Sequence, residues 1–322
     1  MKSIVTLTMN PTIDVTCTVD RLTHTLKLRG SDERYAPGGG GINVARVFVR
    51  LGGNARSCYL SGGATGKALD GLIDEHQLVR HNVEIAGHTR VAYVILERDS
   101  GREFRIVPAG PRIGAAECEA SLATLSGIEG DFVVVSGSLP PGAPDDLYVR
   151  VGAAARERGA GFVLDTSGPA LKHALVAGGV FLVKPSIGEF REFSGLPLET
   201  HEAIAAAAMA LVDGGRAELV AVTLGGGGAI LARRGGALYL PSVQVEVRSA
   251  VGAGDSFLAA MIHSLAQGQD VIEAFRRGVA AGGAALLGTG TDLAHRDDVE
   301  RLLRRVPMPE AVKREDLRLP QD

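Results

Sequence analysis

The run Ser249-Ala250-Val251-Gly252-Ala253-Gly254-Asp255-Ser256-Phe257 places a carboxylate directly after a turn of small residues, where an apolar, helically spaced stretch begins. Small residues at the start of a helix let backbone N–H groups approach an anion, and the positive end of the helix dipole favours negative charge there. Asp255 therefore has two readings. It can cap its helix, or it can take a proton from a hydroxyl while neighbouring N–H groups stabilise charge on a transferring phosphoryl group. Four glycines, Gly38 to Gly41, form a second candidate. They read either as a flexible loop before a helix or as a place where backbone comes close to a ligand. Basic residues supply the third. Lys27 and Arg29 stand two apart, which puts them on one face of a strand. Arg90 and Arg105 belong to a later pair of exposed segments. Arginines on exposed strands are ordinarily solvated, but a phosphate dianion is held by several Arg or Lys donors with bidentate geometry.

The elements that must position these groups follow from periodicity. Ile4–Thr8 is an apolar, β-branched strand closed by the turn at Asn10-Pro11. Asp14–Tyr35 alternates polar and apolar residues and reads as short, partly exposed strands. Ile42–Leu51 has helical spacing and stops at Gly52-Gly53. A second exposed strand pair is expected at 89–97 and 103–108, around Asp99-Ser100-Gly101. From there strands and helices alternate. Phe132–Ser136, Phe162–Asp165, Val180–Val183 and Leu219–Thr223 are continuous apolar runs, as buried parallel strands are. Asp146–Arg158 is helical, a hairpin joins Ala229–Ala232 to Ala237–Leu240, and helices follow at Asp255–Ala266 and Val271–Leu287. The charged, Pro-containing tail from Pro307 to Asp322 is expected to be loosely held. The pattern predicts a doubly wound α/β domain, with two β insertions forming a small lid sheet. In such folds ligands bind beyond the carboxyl ends of the strands.

Composition narrows the function. A chain of 322 residues accommodates one large α/β domain with an insertion, or two domains. Trp is absent and aromatics make up 4%, so Val, Leu, Ile and Ala must fill the core. The net charge of −3 gives no overall field for nucleic acid or an anionic membrane, so an anionic substrate has to meet a local basic cluster. Cys17, Cys58 and Cys118 lack metal or disulfide spacing and suit a reducing cytosol. The histidines at 24, 76, 81, 88 and 173 show no metal spacing either. Gly62-Gly63-Ala64-Thr65-Gly66-Lys67-Ala68 imitates a Walker A loop, but it is one residue short and Ala68 replaces the hydroxyl that would hold Mg2+. It reads as a turn before a helix. The N-terminus lacks the apolar core of a signal peptide. Ala203–Val212 is too short to cross a bilayer. A cytoplasmic location is expected.

Gly252-Ala253-Gly254-Asp255 resembles the C-terminal signature of the PfkB carbohydrate kinase family, and Pro37-Gly38-Gly39-Gly40-Gly41-Ile42-Asn43-Val44-Ala45-Arg46 resembles its N-terminal signature. Ser136-Gly137-Ser138-Leu139-Pro140-Pro141-Gly142, Leu182-Val183-Lys184-Pro185 and Val222-Thr223-Leu224-Gly225 fall in the family's order and approximate spacing. The likeness runs from about Ile4 to about Leu293. One glycine motif is unspecific; five in order are not. The resemblance implies a ribokinase-like domain over residues 1–306, helices on both sheet faces, lid segments at about 12–36 and 88–108, and a tail at 307–322. It implies ATP and Mg2+, with K+ as a further candidate ion. Asp255 is then the base, and Gly252, Ala253 and Gly254 form the anion hole. Asp14, Gly38, Gly39, Gly40, Asn43 and Ser138 would bind a sugar, and Lys27, Arg29, Arg90 and Arg105 its phosphate. Lys184, Ser186, Thr223, Gly225, Gly228 and Gly282 would line ATP, with Glu189 organising Mg2+ through water. Ser186 stands where the family usually has Asn. Gly39 or Gly40 stands where the 1-phosphofructokinase and tagatose-6-phosphate kinase subgroups more often show Lys. The pattern thus looks most like the subgroup acting on fructose 6-phosphate. Those two subgroups, a non-catalytic sugar-phosphate sensor and a nucleoside kinase are the alternatives; the last would not need the lid cations. Open edges on the lid imply a homodimer formed through it.

Overall fold

The computed structural model describes residues 2–24 and 26–313. Strands β1 (Ile4–Thr8), β2 (Thr12–Val19) and β3 (Ser31–Gly38) lead into helix α1 (Gly40–Arg50). Next come β4 (Ala55–Ser61), α2 (Gly63–Glu75), β5 (Val79–Glu84), β6 (Arg90–Glu97), β7 (Arg102–Ile106) and α3 (Ala115–Ser126). The chain then alternates through β8 (Phe132–Ser136), α4 (Leu147–Glu157), β9 (Gly161–Asp165), α5 (Gly168–Ala177), β10 (Val180–Val183), α6 (Ile187–Ser194), α7 (His201–Asp213) and β11 (Ala217–Thr223). It closes with β12 (Ala229–Arg233), β13 (Gly236–Leu240), α8 (Ala253–Ala266), α9 (Val271–Ala285), α10 (Arg296–Leu303) and β14 (Glu310–Val312).

Ten strands form one sheet in the order β14-β13-β12-β11-β10-β9-β8-β1-β4-β5. From β11 to β5 the pairing is parallel; β12, β13 and β14 run antiparallel at one edge. Parallel strands are buried on both faces, and β8 shows it. Val134 packs into the core beneath α1, α8 and α9, while Val133 and Val135 pack with α4, α5 and α7. That alternation is the two-residue period of a strand covered on both sides. The chain moves outward from β1 to β4 and β5 on one side and to β8 and β9 on the other. This reversal opens a crevice at the carboxyl ends of β1 and β8, where doubly wound sheets bind ligands.

The expected lid exists as a four-stranded sheet in the order β3-β2-β6-β7. Register settles which side chains face the crevice. Thr12 aligns with Arg90, Asp14 with Ala92, and Arg105 with Val94, so all share one face. The opposite face carries Tyr35, Tyr93, Phe104 and Ile106, all exposed. Lys27 and Arg29 are a correction. They lie in the irregular stretch between β2 and β3, exposed, and not on a strand. Alternation from Leu22 to Leu28 imitates a strand, but a strand needs a partner, and β2 is already paired on both edges by β3 and β6. The tail also differs from expectation. Glu310–Val312 pairs with β13 as an edge strand, because an open edge takes any backbone that can reach it. Residues 314–322 of the expected tail lie outside the described residues. Glycine loop 62–68 is not a turn ahead of a helix: α2 begins at Gly63 and contains most of it.

Candidate active site

Asp255 owes its place to the start of α8. Gly252 is the N-cap with φ 72°, a left-handed conformation, and a Cβ there would lie 2.2 Å from Leu293 Cδ2. Glycine is thus required twice over. Ala253 and Gly254 form the first turn, whose N–H groups have no partner within the helix. Asp255 does not cap: the N-cap position belongs to Gly252, and the carboxylate instead accepts a hydrogen bond from Asn43 Nδ2 at 2.9 Å. Burial, with the Asp165 carboxylate adding to it, pushes Asp255 up to about 6, against the pull of Asn43 and Lys184. Such a carboxyl is ionised at neutral pH yet basic enough to take a proton.

Lys184 ends β10 and is buried, with 5% of its surface exposed. Its ammonium pairs with Asp165 at 3.0 Å, and a Cβ on Gly254 would stand 3.2 Å from Nζ. The cation therefore rests against the first turn of α8. Burial disfavours its charge, but Asp165, Asp255 and Glu189 outweigh this and leave the pKa raised. Asp165 in turn accepts from Ser136 Oγ at 3.1 Å, tying the ends of β8 and β9 together.

Asp14, Gly39, Gly40, Asn43, Arg90, Arg105, Ser138, Asp165, Lys184, Ser186, Glu189 and Asp255 line one cavity of about 670 Å³. Gly38 backs Asp14, and a Cβ there would lie 2.2 Å from Oδ2. At Gly40 a Cβ would meet Ser136 Oγ at 2.1 Å. Arg90 reaches the carbonyls of Asn10 and Pro108 at 2.7 and 2.8 Å. Asp14 is pushed up to about 6 by burial, with Arg105, Arg46 and Arg90 opposing. Beyond the α8 N-terminus a second cavity, about 420 Å³, is walled by Val243, Val245, Phe257, Val279 and Leu286, with Thr223, Gly225, Gly228 and Gly282 at its rim. Tyr239 Oη and Ser242 Oγ donate to the carbonyls of Gly227 and Gly226 at 2.9 and 2.6 Å, which fixes the glycine loop there. Gly228 has φ 96°, and a Cβ would lie 2.0 Å from Leu240 O. The two cavities share Thr223, Gly225 and Gly254, the residue before Asp255: polar and basic on one side, apolar and slot-like on the other.

Residues 3–297 match the family described as pfkB family carbohydrate kinase. The chain belongs to that family. A relative from Mycobacterium tuberculosis called ATP-dependent 6-phosphofructokinase isozyme 2 is 42% identical over 311 residues, covering 96% of this chain and 91% of its own. A Bacillus subtilis 1-phosphofructokinase is 32% identical, covering 94% of this chain and 98% of its own. The crystal structure of Escherichia coli phosphofructokinase-2 in complex with fructose-6-phosphate superposes with a TM-score of 0.89 at 34% identity, over 95% of this chain and 99% of that one.

Between them the two cavities gather every expected position except Lys27, Arg29 and Gly38, the last of which backs Asp14. Ser186 and Glu189 turn out to be joined: the Ser186 N–H and hydroxyl donate to Glu189 Oε2 at 2.7 and 2.8 Å, capping α6. Among the described residues no group of three or more His, Cys, Asp or Glu side chains forms a metal cage. Asp165 and Arg46 were missed. Asp165 had a signal: it is the one charged residue at the carboxyl end of the apolar run Phe162–Asp165. No helix among the described residues is long and apolar enough to cross a membrane.

Proposed function

We propose that the chain transfers the γ-phosphoryl group of MgATP to the 1-hydroxyl of fructose 6-phosphate. The carrying observation is the position of Asp255, in one cavity with the lid residues Asp14, Arg90 and Arg105 and directly after Gly254, which that cavity shares with an apolar purine-sized pocket. The 6-phosphofructokinase name of the Mycobacterium tuberculosis relative and the fructose-6-phosphate complex of the Escherichia coli neighbour support that substrate. Asp255 takes the proton of the acceptor hydroxyl. The N–H groups from Gly252 to Gly254 and the Lys184 ammonium face the transferring group, where they stabilise its charge. Asn43 keeps its second amide hydrogen for the sugar. Arg90 and Arg105 take the existing phosphate. Glu189 leaves Oε1 for Mg2+-bound water. The ion, when present with ATP, neutralises charge on the phosphates.

Phosphorylation of fructose 1-phosphate is the second reading, favoured by the Bacillus subtilis relative. Steady-state ADP release with fructose 6-phosphate, fructose 1-phosphate and tagatose 6-phosphate separates them. Fructose 6-phosphate is expected to give the highest kcat/KM. Arg105→Ala is expected to raise its KM roughly 10- to 100-fold, the loss of one or two charge-assisted bonds, with the KM for ATP unchanged. An unchanged sugar-phosphate KM places the phosphate elsewhere, and no turnover with any sugar phosphate turns the site into a sensor.

The exposed outer face of the lid, with Tyr35, Tyr93, Phe104 and Ile106, is suited to a second copy of the same face. Light scattering is expected to report a homodimer; a monomer at assay concentration ends that reading.

A further inference from the structure

Arg46 sits in the middle of α1 with 4% of its surface exposed, and among the described residues it forms no contact ion pair. Burying a guanidinium without a carboxylate is unfavourable, so its hydrogen bonds have to justify its presence. One terminal nitrogen supplies both. It donates to Pro37 O at 3.0 Å, just ahead of the glycine loop, and to Asn43 Oδ1 at 3.3 Å, one turn back on the same helix. Burial lowers its pKa to about 10, so it stays charged at neutral pH.

An arginine has only donors. The amide atom of Asn43 that faces it must therefore be oxygen, and the nitrogen must face the other way, where it meets Asp255 Oδ2 at 2.9 Å. Two neighbours select that orientation, Asp255 from one side and Arg46 from the other, and a flipped amide would also turn its NH2 group toward the guanidinium. The flipped amide would present oxygen to a carboxylate, and two acceptors repel.

We propose that Arg46 is a positioning residue for phosphoryl transfer: it locks the amide of Asn43, and through it the carboxylate of Asp255, against the acceptor hydroxyl. The inference rests on Asp255 being the base. Other groups also face Asp255: Lys184 from the end of β10, Asp165 from β9 and Asp14 from β2. None of them touches Asn43 by a hydrogen bond among the described residues; Arg46 also acts on Asp14 and Asp255 by its charge alone, so the signature that isolates the amide is the coupling between Arg46 and Asn43. Losing the Asn43 donor leaves the carboxylate more basic, and the acid limb of kcat must move to higher pH.

The test measures kcat and KM between about pH 5.5 and 9 for Arg46→Gln, Arg46→Lys, Asn43→Ala and the Arg46→Gln/Asn43→Ala double variant, with thermal melts as a fold check. Arg46→Gln is expected to lose roughly 10- to 100-fold in kcat near neutrality, less at high pH, with the KM for ATP unchanged. Lys, keeping the charge but ending one bond short of the guanidinium's terminal nitrogen, should fall between. Once Asn43 is Ala, changing Arg46 should add little. An acid limb at the wild-type pH in whichever Arg46 variant folds, or an equal loss in both Asn43 backgrounds, overturns the proposal and leaves Arg46 a packing residue. Asp255→Asn run alongside separates the two levels. If that variant keeps its turnover, the base assignment has failed; if it is inactive while Arg46→Gln is normal, only the present inference has.

Discussion

Asp255→Asn is expected to lose about 100- to 10,000-fold in kcat, the usual contribution of a positioned general base, while the ligand-free protein becomes more heat-stable. The two effects have one origin. Asp255 is held among apolar and acidic neighbours and is pushed up to about 6. Its folded pKa thus lies above the unfolded value of 3.8. The native state binds more protons than the unfolded state between those values, so stability falls as pH rises through them. The whole penalty is present above about pH 6, and each tenfold gain in proton affinity on folding adds about 1.4 kcal/mol to it. Asn removes the charge and keeps the shape. The melting temperature should therefore rise by a few degrees at pH 8 and hardly change near pH 4. Retention of more than a tenth of kcat moves the base elsewhere, and an equal melting temperature at pH 8 means the carboxylate is not strained by its site. The acid limb of wild-type kcat/KM should fall near pH 6. Asp14, also pushed up to about 6, faces the same cavity, so that limb belongs to both carboxylates together.

How far the sequence could be read depended on whether a residue's role was local. Buried parallel strands announce themselves as unbroken apolar runs, and Phe132–Ser136 and Val180–Val183 have the expected bounds. Strand β4, next to the β5 edge of the sheet, was not anticipated, since Arg56 and Ser57 interrupt its apolar run. The glycine motifs were legible because their reason is local: Gly252 needs a left-handed φ and Gly40 lies against Ser136. Pairings between distant segments were not. Nothing near Asp165 in the sequence says that Lys184 will meet it, and nothing near Arg46 says that it orders an amide bonded to a residue 212 positions away. The walls of the nucleotide-sized cavity were equally silent, because Val243, Phe257 and Val279 look in sequence like any other core residue. Lys27 and Arg29 show the opposite failure, where alternation predicted a strand that had no edge to pair with.

Lys184→Met tests the other half of the charge arrangement, and both stability and rate should fall. Methionine fills the volume but leaves Asp165, whose side chain is 13% exposed, with only the Ser136 hydroxyl as a side-chain partner. Breaking a buried pair from one side costs about 3–5 kcal/mol, which for a chain of this size lowers the melting temperature by about 4–7 °C. The rate suffers for two reasons. A cation beside the first turn of α8 is lost from the path of the transferring phosphoryl group, and Asp255 loses one of the two groups that hold its proton affinity down. A fall in kcat of about 100-fold or more is expected, in line with removal of one charge-stabilising donor. Adding Asp165→Leu separates the effects. The double variant should recover much of the lost stability, since an apolar pair replaces an unpaired carboxylate, and it should recover none of the phosphoryl-transfer rate. If stability stays low in the double variant, the ion pair was not what held the two strand ends. If Lys184→Met turns over normally, the ammonium stands beside the reaction without taking part in it.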